Sequence, residues 1–488
     1  MLGTTTVFLA LILGLLLIHF VKLCIWAAKL PPGPVPLPII GNLWTLRFEL
    51  HPRTLMKLAK TYGNVMTIWV GQAPIVILTG SESVREGLVT NSEQLSGRPL
   101  TPFLNFYSEG NGIIVSNGEN WKQQRRVGLQ ILRNLGLGKK SLEWKIQGEA
   151  NRLVDVFTSK KGSPFDPRLF IINAVNSVIS SVIFGHNFSL DDQTFHHLTE
   201  SSDSVSNFYG SSWGQLYDAF PWLMRHLPGP HQDAMRHLHF LMDFLMQEIR
   251  QHQQNPSTEP QDFIDYYLNP ISKNKDDRSS MLDERNLQQI LLDFFLAGSE
   301  TVASTLRWGL LYMALYPEIQ AKVQQEVDAF LEKSLTVQYD NRKDLPYTYA
   351  VIHEIQRNSS VVPFGLPRQI TEDIKLQGYQ IKKGTVVVTS LASALHDPNI
   401  WKSHETFYPS NFLDNNGNFQ CNDAFLPFSA GHRVCLGEQM AKMELFIFFT
   451  SLMYAFNFCF SQGSKVNTNG ILGTTFTPHP YQICAIPR

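Results

Sequence analysis

The most informative segment of this chain reads Phe428-Ser429-Ala430-Gly431-His432-Arg433-Val434-Cys435-Leu436-Gly437. It has the form F-x-x-G-x-R-x-C-x-G, which average residue usage would produce roughly once in ten million starting positions. A thiolate that binds a metal needs hydrogen-bond donors and a dry surround. Gly431 and Gly437 allow the backbone to approach Cys435 closely, so that N–H groups can point at its sulfur. Most isolated cysteines are buried structural thiols, but the complete loop indicates that Cys435 is a metal ligand.

The residues on either side of Cys435 fit the same interpretation. The apolar stretch from Met440 to Phe456 predicts a buried helix, whose positive N-terminal end would lie near the thiolate. Arg433 offers a guanidinium fork for a carboxylate, and Phe428 can shield the sulfur.

This loop resembles the haem-binding signature of the cytochrome P-450 superfamily. The resemblance implies a mainly α fold with a minor β part, the haem-thiolate fold, in one large domain with an N-terminal transmembrane helix. It implies haem b as the cofactor, with Cys435 as the axial thiolate. Such a thiolate pushes electron density onto iron and favours O–O cleavage. The loop residues that the resemblance places against the haem are Phe428, Gly431, Arg433 and Gly437.

A long apolar helix is predicted from Leu287 to Tyr316, where Pro317 stops it. It contains Ala297-Gly298-Ser299-Glu300-Thr301, and helical spacing puts the alanine, the acid and the threonine near one face. By itself this could be a bent buried helix whose threonine hydroxyl bonds back to a carbonyl. The segment also resembles the family's oxygen-activating stretch. That implies Ala297 over the haem, Thr301 helping to activate dioxygen and deliver protons, and Glu300 in the proton supply.

Glu354 and Arg357 lie three residues apart on a predicted helix. Such a pair is commonly a weak surface ion pair. It resembles the family's E-x-x-R element, which implies a buried structural pair behind the haem. The family completes this pair with a later arginine, but Asn411 stands at the matching position here, so a neutral hydrogen bonder would be the third member.

Further side chains are implied to contact the haem propionates. Trp121 and Arg125 resemble the family's W-x-x-x-R element, while Arg98 and Arg368 occupy places where relatives supply further donors. Together with Arg433, these arginines would neutralise two carboxylates. The alternative for each is an ordinary surface arginine.

The substrate pocket is implied to be apolar. Core packing is the default for any one of its residues, but together they indicate a lipophilic small-molecule substrate. The pocket residues that the resemblance implies are Phe103, Leu104, Phe106, Phe294, Leu296, Val361, Val362, Leu366, Thr475 and Phe476.

A basic cluster interrupts an otherwise near-neutral chain. It is either a solvated face or, as the resemblance implies, the proximal surface on which an acidic flavoprotein docks. The implied partners are the NADPH-cytochrome reductase and, as a second electron donor, cytochrome b5. The cluster consists of Lys122, Arg126, Arg133, Lys139 and Lys140.

Bulk composition excludes other classes of protein. The 488 residues carry a net charge of −1, with no basic excess for nucleic acid. The five cysteines include no CxxC pair. This spacing favours a reducing compartment over a disulfide scaffold or a zinc site.

The N-terminus predicts three regions: a membrane anchor at 1–28, a proline-rich hinge at 29–42 and the catalytic domain at 43–488. Val7 to Ala28 is almost wholly apolar, and roughly 20 such residues span a bilayer core. No Lys or Arg precedes Lys22, and Lys29 follows it. This asymmetry favours a retained single-pass anchor with the catalytic domain in the cytoplasm over a cleaved signal peptide. The hinge is either a plain linker or a segment that orients the body against the membrane.

The anchor, the hinge and Leu132-Arg133-Asn134 resemble family two of the vertebrate microsomal enzymes, with detail similar to the J subfamily of fatty-acid epoxygenases. The implied activity is a monooxygenase of the endoplasmic reticulum membrane. It would hydroxylate or epoxidise fatty acids, steroids or xenobiotics, with electrons from NADPH through the reductase. The alternatives are a thiolate-haem isomerase, which Glu300 and Thr301 disfavour, and a non-enzymatic haem carrier or sensor.

Overall fold

The computed structural model describes residues 2–46, 50–138, 140–273, 280–334 and 336–488. Within these ranges the architecture is mainly α-helical with small sheets, which confirms the predicted fold class. The α-helices are α1 Leu2–Ala27, α2 Pro52–Tyr62, α3 Ser81–Arg85, α4 Pro102–Ser108, α5 Gly118–Asn134, α6 Lys140–Ser159, α7 Arg168–Ile183, α8 Gln193–Gly210, α9 Ser212–Ala219, α10 Pro221–Met224, α11 Pro230–Gln254, α12 Phe263–Lys273, α13 Glu284–Leu315, α14 Pro317–Leu331, α15 Pro346–Ser359, α16 Leu391–Leu395 and α17 Glu438–Ala455.

The β part is small and lies mostly in one sheet. A four-stranded sheet has the order β1-β2-β6-β3, in which β2 and β6 are parallel and the other neighbours are antiparallel. The remaining strands form the two-stranded pairs β4–β5, β7–β10 and β8–β9. The strands are β1 Val65–Val70, β2 Ala73–Leu78, β3 Arg368–Gln369, β4 Ile374–Leu376, β5 Tyr379–Ile381, β6 Val386–Thr389, β7 Phe456–Cys459, β8 Gly470–Leu472, β9 Phe476–Pro478 and β10 Cys484–Pro487.

The long helix α13 organises the largest hydrophobic core. It contacts α7, α11, α15 and α17, and most of its side chains are buried. Asp283 caps its start by accepting a hydrogen bond from the Asn286 N–H at 2.7 Å. Pro317 begins the next helix, so α13 ends within one residue of the predicted boundary.

The proline-rich segment is bonded to the body. The Thr67 N–H donates to the Pro32 carbonyl at 2.9 Å. The Asn42 side chain donates to the Pro34 and Val35 carbonyls and accepts from the Trp69 N–H at 2.9 Å. These bonds fix the proline-rich segment against β1.

Helix α1 has the character expected of a membrane anchor. Its 23 residues from Thr5 to Ala27 have a mean hydropathy of 2.6 and lie almost entirely outside the protein core. Trp26, near its end, meets Trp69 edge to face with ring centroids 4.8 Å apart. The anchor therefore joins the body at β1.

Candidate active site

Cys435 lies between a short 3-10 turn at Gly431–Arg433 and the start of α17. Its own N–H donates to the Phe428 carbonyl at 3.0 Å. Burial raises the pKa of the Cys435 thiol, whereas backbone hydrogen bonds from Gly437 and Glu438 and the nearby Arg125 lower it. The site thus already directs N–H donors at the sulfur, and a bound metal would remove the remaining proton.

The two glycines of the loop act differently. Gly431 has a φ of 73°, and a Cβ there would lie 1.9 Å from the Leu88 carbonyl oxygen, so a side chain cannot fit. Gly437 has a φ of −87°, and its Cβ would meet no described atom within 4 Å. Its contribution within the protein is therefore the N–H that it directs at Cys435.

No side chain of the described residues covers Cys435 or Ala297, the two ends of the predicted reaction centre. Cys435 is accessible even though burial dominates its pKa, so its sulfur lies in a recess of the protein. Ala297 is exposed in the middle of α13, although Phe295 and Ser299 beside it are buried. Helix α13 therefore borders accessible space at Ala297.

Four arginines gather close to this recess. Burial lowers the pKa of Arg368 to about 8, and the charges of the three neighbouring arginines add to the effect. The pKa of Arg433 falls to about 8 through burial and the charges of Arg98 and Arg125. None of the four has a carboxylate partner among the ion pairs of the described residues. An anion from outside the polypeptide would restore the pKa of these arginines to the usual range and stabilise their charged form.

Backbone carbonyls hold these arginines in place. Arg98 donates to the Leu366 and Pro367 carbonyls, both at 2.7 Å. Arg433 donates to the carbonyls of Ser96, Ile113 and Ser116. Arg125 donates to the Val434 carbonyl at 2.7 Å, directly before the cysteine.

Two buried donors in the cluster lack a partner. The Trp121 Nε1–H and the Arg368 Nε–H make no hydrogen bond within the protein. An unmet buried donor costs about 1–3 kcal/mol, so these groups also call for an acceptor from outside the polypeptide. Haem b carries two propionate carboxylates and an iron that a thiolate can bind. The unmet donors, the arginines and Cys435 therefore fit haem b.

Thr301 and Glu300 point to different surroundings. The Thr301 hydroxyl donates to the Ala297 carbonyl at 2.8 Å and is partly accessible. Glu300 accepts from the Ser304 hydroxyl at 2.8 Å. Burial raises the pKa of Glu300, and Asp203 raises it further while Arg168 and Arg307 oppose the shift. Glu300 therefore belongs to a partly buried group of charges with Asp203, Arg168 and Arg307. Thr301 instead shares the accessible side of α13 with Ala297.

Glu354 and Arg357 form a fully buried ion pair on α15. Two parallel hydrogen bonds of 2.7 Å join the guanidinium to the carboxylate. The Asn411 side chain donates to the same carboxylate at 3.3 and 3.4 Å, and the Tyr408 N–H donates to it at 2.7 Å. The remaining arginine donors reach the carbonyls of Leu395, Ser403, His404 and Thr406.

The predicted pocket residues occupy several environments. Phe476 donates its N–H to the Val361 carbonyl at 2.7 Å, which brings two of them together. Phe103 is only 1% exposed and packs against Phe208, so the structure places it in the aromatic core instead of on an accessible wall. Phe106 is 41% exposed and meets His239.

The other predicted pocket residues lie at the core boundary. Phe294 packs edge to face against Phe263, with centroids 5.0 Å apart. Leu296 and Val362 are partly buried against the main core. Leu366 is also partly buried, and its carbonyl holds Arg98.

The predicted basic cluster is exposed on α5 and at the start of α6. Lys122 is bonded to Glu119 at 2.8 Å. The described ion pairs include none with Arg126, Arg133 or Lys140. Lys139 lies outside the described residues.

Asp293 was missed by the sequence analysis. It accepts from the N–H groups of Ile113 and Ile114 at 2.7 and 2.9 Å. Those two residues hold Arg433 and Arg98 through their carbonyls. Asp293 is therefore a positioning residue for the arginine cluster. An acid one turn before Ala297 in an apolar helix was the available signal.

Comparison with known proteins fits this geometry. The family model described as Cytochrome P450 matches residues 31–485. The chain is a cytochrome P450. Its haem-thiolate fold and haem-iron cofactor follow from that membership, as does its monooxygenase class.

Similar proteins place this cytochrome P450 within family two. It is 43% identical to Cytochrome P450 2J5 of Mus musculus and 43% identical to Cytochrome P450 2J2 of Homo sapiens. It is 45% identical to Cytochrome P450 2J1 of Oryctolagus cuniculus. Each match covers 94% of this chain and 91% of the relative. The predicted resemblance to vertebrate family two is thereby confirmed.

Proposed function

We propose that this cytochrome P450 takes electrons from NADPH through a flavoprotein reductase and inserts one oxygen atom from O2 into fatty acids, steroids or xenobiotics. The observation that carries the proposal is the partly accessible Thr301 hydroxyl beside the exposed Ala297, in a protein whose Cys435 sulfur already receives backbone donors. The products are an alcohol or an epoxide, together with water.

We propose that the residues around the Cys435 recess bind haem b. Cys435 would bind the haem iron through its thiolate, and Phe428, Gly431 and Gly437 would form the loop around it. The two propionates would be bound by Trp121, Arg98, Arg125, Arg368 and Arg433. The unmet donors of Trp121 and Arg368 and the lack of a carboxylate partner for the arginines among the described ion pairs support this assignment. When bound, the haem supplies the activation of dioxygen.

Thr301 is the proposed final proton donor. Its hydroxyl now donates to the Ala297 carbonyl, so it must turn towards the reacting oxygen to deliver a proton. Glu300 is the proposed proton reservoir, because burial raises its pKa and favours its protonated form. Its bond to Ser304 directs it away from the Thr301 hydroxyl, so the path between them needs an intermediate carrier such as water.

The substrate would lie along the accessible side of α13. Ala297, with its small side chain, leaves room there, and Val361, Val362, Leu366, Phe294, Leu296, Phe106 and Phe476 supply apolar surface. Phe103 supports this region from the core. Apolar burial then contributes most of the binding free energy.

The electron donor would dock on the exposed basic residues Arg126, Arg133 and Lys140. The first two lie on α5 with Arg125, and Lys140 begins α6. Acidic partners are steered to such a surface. The NADPH-cytochrome reductase is the proposed first donor and cytochrome b5 the second. The anchor would hold the protein in the endoplasmic reticulum membrane, with the catalytic domain on the cytoplasmic side.

The decisive experiment combines purified holoprotein, reductase, NADPH and isotopically labelled dioxygen with panels of fatty acids, steroids and xenobiotics. A monooxygenase forms products that contain one labelled oxygen atom and requires NADPH for them. Product formed without NADPH would overturn the proposal in favour of an isomerase. NADPH oxidation no faster than that of the reductase alone, on every panel, would instead indicate a haem carrier.

A further inference from the structure

Two free cysteines face each other at the C-terminal end of the protein. Cys459 is the last residue of β7, and Cys484 is the first residue of β10. The antiparallel register pairs them directly. Directly opposed residues share one face of a sheet, so the two thiol groups are neighbours on that face.

The backbone pairing at this position sets how far apart the two cysteines stand. The N–H and carbonyl of Phe458 both bond to the Gln320 side chain, at 2.7 and 3.0 Å, so they point away from β10. The neighbouring pair Cys459–Cys484 must then be a hydrogen-bonded pair, whose Cα atoms lie about 5.5 Å apart. This Cα separation lies in the range that disulfides join, about 5.5–6 Å. The side chains of a hydrogen-bonded pair stand further apart than those of the alternating pairs, so the disulfide needs a small backbone adjustment to close and is readily reduced.

The two thiols differ in exposure. Cys459 is exposed, whereas Cys484 is 7% exposed. An oxidant from solvent therefore reaches Cys459 first. Cys484 lies opposite Cys459 and is shielded from solvent. A reactive thiol next to a second thiol that can resolve the product is the arrangement of redox-sensitive pairs.

We propose that Cys459 and Cys484 form a reversible redox pair that closes a cross-strand disulfide when hydrogen peroxide is present. The Cys459 thiolate attacks peroxide, which breaks the O–O bond, leaves a sulfenic acid and releases hydroxide. The Cys484 thiol, losing its proton, then attacks the sulfenic sulfur and displaces water. Two thiols lose two electrons and two protons, and peroxide is reduced to two waters. A dithiol reductant reverses the change by thiol–disulfide exchange.

The disulfide would close a loop that carries part of the predicted pocket. Residues 460–483 lie between the two cysteines and contain β8 and β9, including Phe476. The Tyr481 hydroxyl donates to the Arg307 carbonyl at 2.6 Å, which ties the same segment to α13. A covalent link across β7 and β10 would therefore fix this segment and lower the entropy of the unfolded chain.

A reducing compartment does not argue against the pair. Disulfides in such compartments are usually transient and redox-sensing. Exposed disulfides are also the labile ones, and Cys459 lies at the surface. Oxidation and reduction of this pair can therefore follow changes in peroxide concentration.

The test treats full-length holoprotein in detergent with a graded series of hydrogen peroxide. Free thiols are then alkylated after unfolding under non-reducing conditions, and peptides are analysed by mass spectrometry. We expect a cross-linked peptide joining Cys459 to Cys484, two hydrogen masses lighter than its two thiol peptides together, and its disappearance after dithiothreitol. The melting temperature of the oxidised protein should rise by several degrees and fall back on reduction.

Cys421→Ser is the matched control, because Cys421 is another exposed free cysteine. It should leave the cross-linked peptide unchanged, whereas Cys459→Ser should abolish it and leave Cys484 alkylated. Oxidation of Cys459 to the sulfinic acid while Cys484 remains a free thiol would overturn the proposal. So would a cross-link that forms only after the protein is unfolded.

Discussion

The guanidinium of Arg433 lies 3.9 Å from the centre of the Trp121 ring. This stacking holds a buried cation over an aromatic face, while the indole Nε1–H beside it has no partner in the protein. One side chain thus supports the arginine and offers its own donor to an anion. The two functions can be separated by mutation.

Trp121→Phe keeps the ring under Arg433 but removes the Nε1–H. We expect folded protein that loses haem faster, because a hydrogen bond to a charged group is worth about 1.5–3 kcal/mol. The rate of haem transfer to apomyoglobin measures this loss. Trp121→Ala, which also removes the stacking, should lose haem faster still. Equal rates for wild type and Trp121→Phe would remove the indole N–H from the haem contacts.

Cys435→Ser should abolish the red-shifted Soret band of the ferrous carbonyl complex, because an alcohol replaces the thiolate. Monooxygenase activity should be lost as well. The carbonyl difference spectrum is the measurement, and Cys421→Ser should leave it unchanged. A normal band in Cys435→Ser would show that another residue is the ligand.

Glu354→Ala should leave the Arg357 cation buried without its carboxylate. Removing one partner of a buried pair costs about 3–5 kcal/mol, so we expect little folded holoprotein. Haem content per polypeptide and thermal stability measure the effect. Asn411→Ala removes only the two longer bonds to the same carboxylate and should cost about 1 kcal/mol. A stable Glu354→Ala holoprotein would show that the pair is dispensable.

Thr301→Ala should lower product formed per NADPH and raise hydrogen peroxide, because the proposed proton donor is lost. Thr301→Ser should restore most of the coupling. Thr305→Ala is the control, since Thr305 makes the same kind of back-bond to the Thr301 carbonyl at 2.8 Å but is buried. Product, peroxide and NADPH are measured together. Unchanged coupling in Thr301→Ala would exclude Thr301 from the proton path.

His252 should make stability depend on pH in the alkaline range. A side-chain hydrogen bond to Asp262, at 3.0 Å, is the main cause that raises the pKa of His252 from 6.5 to about 9. The stabilisation of the folded state by the protonated His252–Asp262 contact is therefore fully present below pH 6.5. It is lost as the pH rises through about 9. The difference in melting temperature between wild type and His252→Asn should shrink over that window. A constant difference would show that the contact does not depend on the charge of His252.

Local patterns determined much of this protein. Continuous apolar runs coincide with β1 Val65–Val70 and β6 Val386–Thr389, so their strand character follows from local sequence. Apolar periodicity with a terminal proline predicted α13, because a helix and its breaker are set by neighbouring residues. The Cys435 loop was recognisable because its glycines, arginine and cysteine act within ten consecutive residues.

Tertiary structure alone decided which distant groups meet. The Asp293 contact with the Ile113 N–H spans 180 positions, and no local period encodes such a contact. The burial of the predicted pocket residues also could not be read from local sequence, because Phe103 and Phe106 are three residues apart and yet one is buried and the other exposed. The sequence by itself determined the chemistry of the loop and the helices, whose causes are local. The charge balance of the arginine cluster and the pairing of Cys459 with Cys484 depend on long-range packing, which only the folded chain supplies.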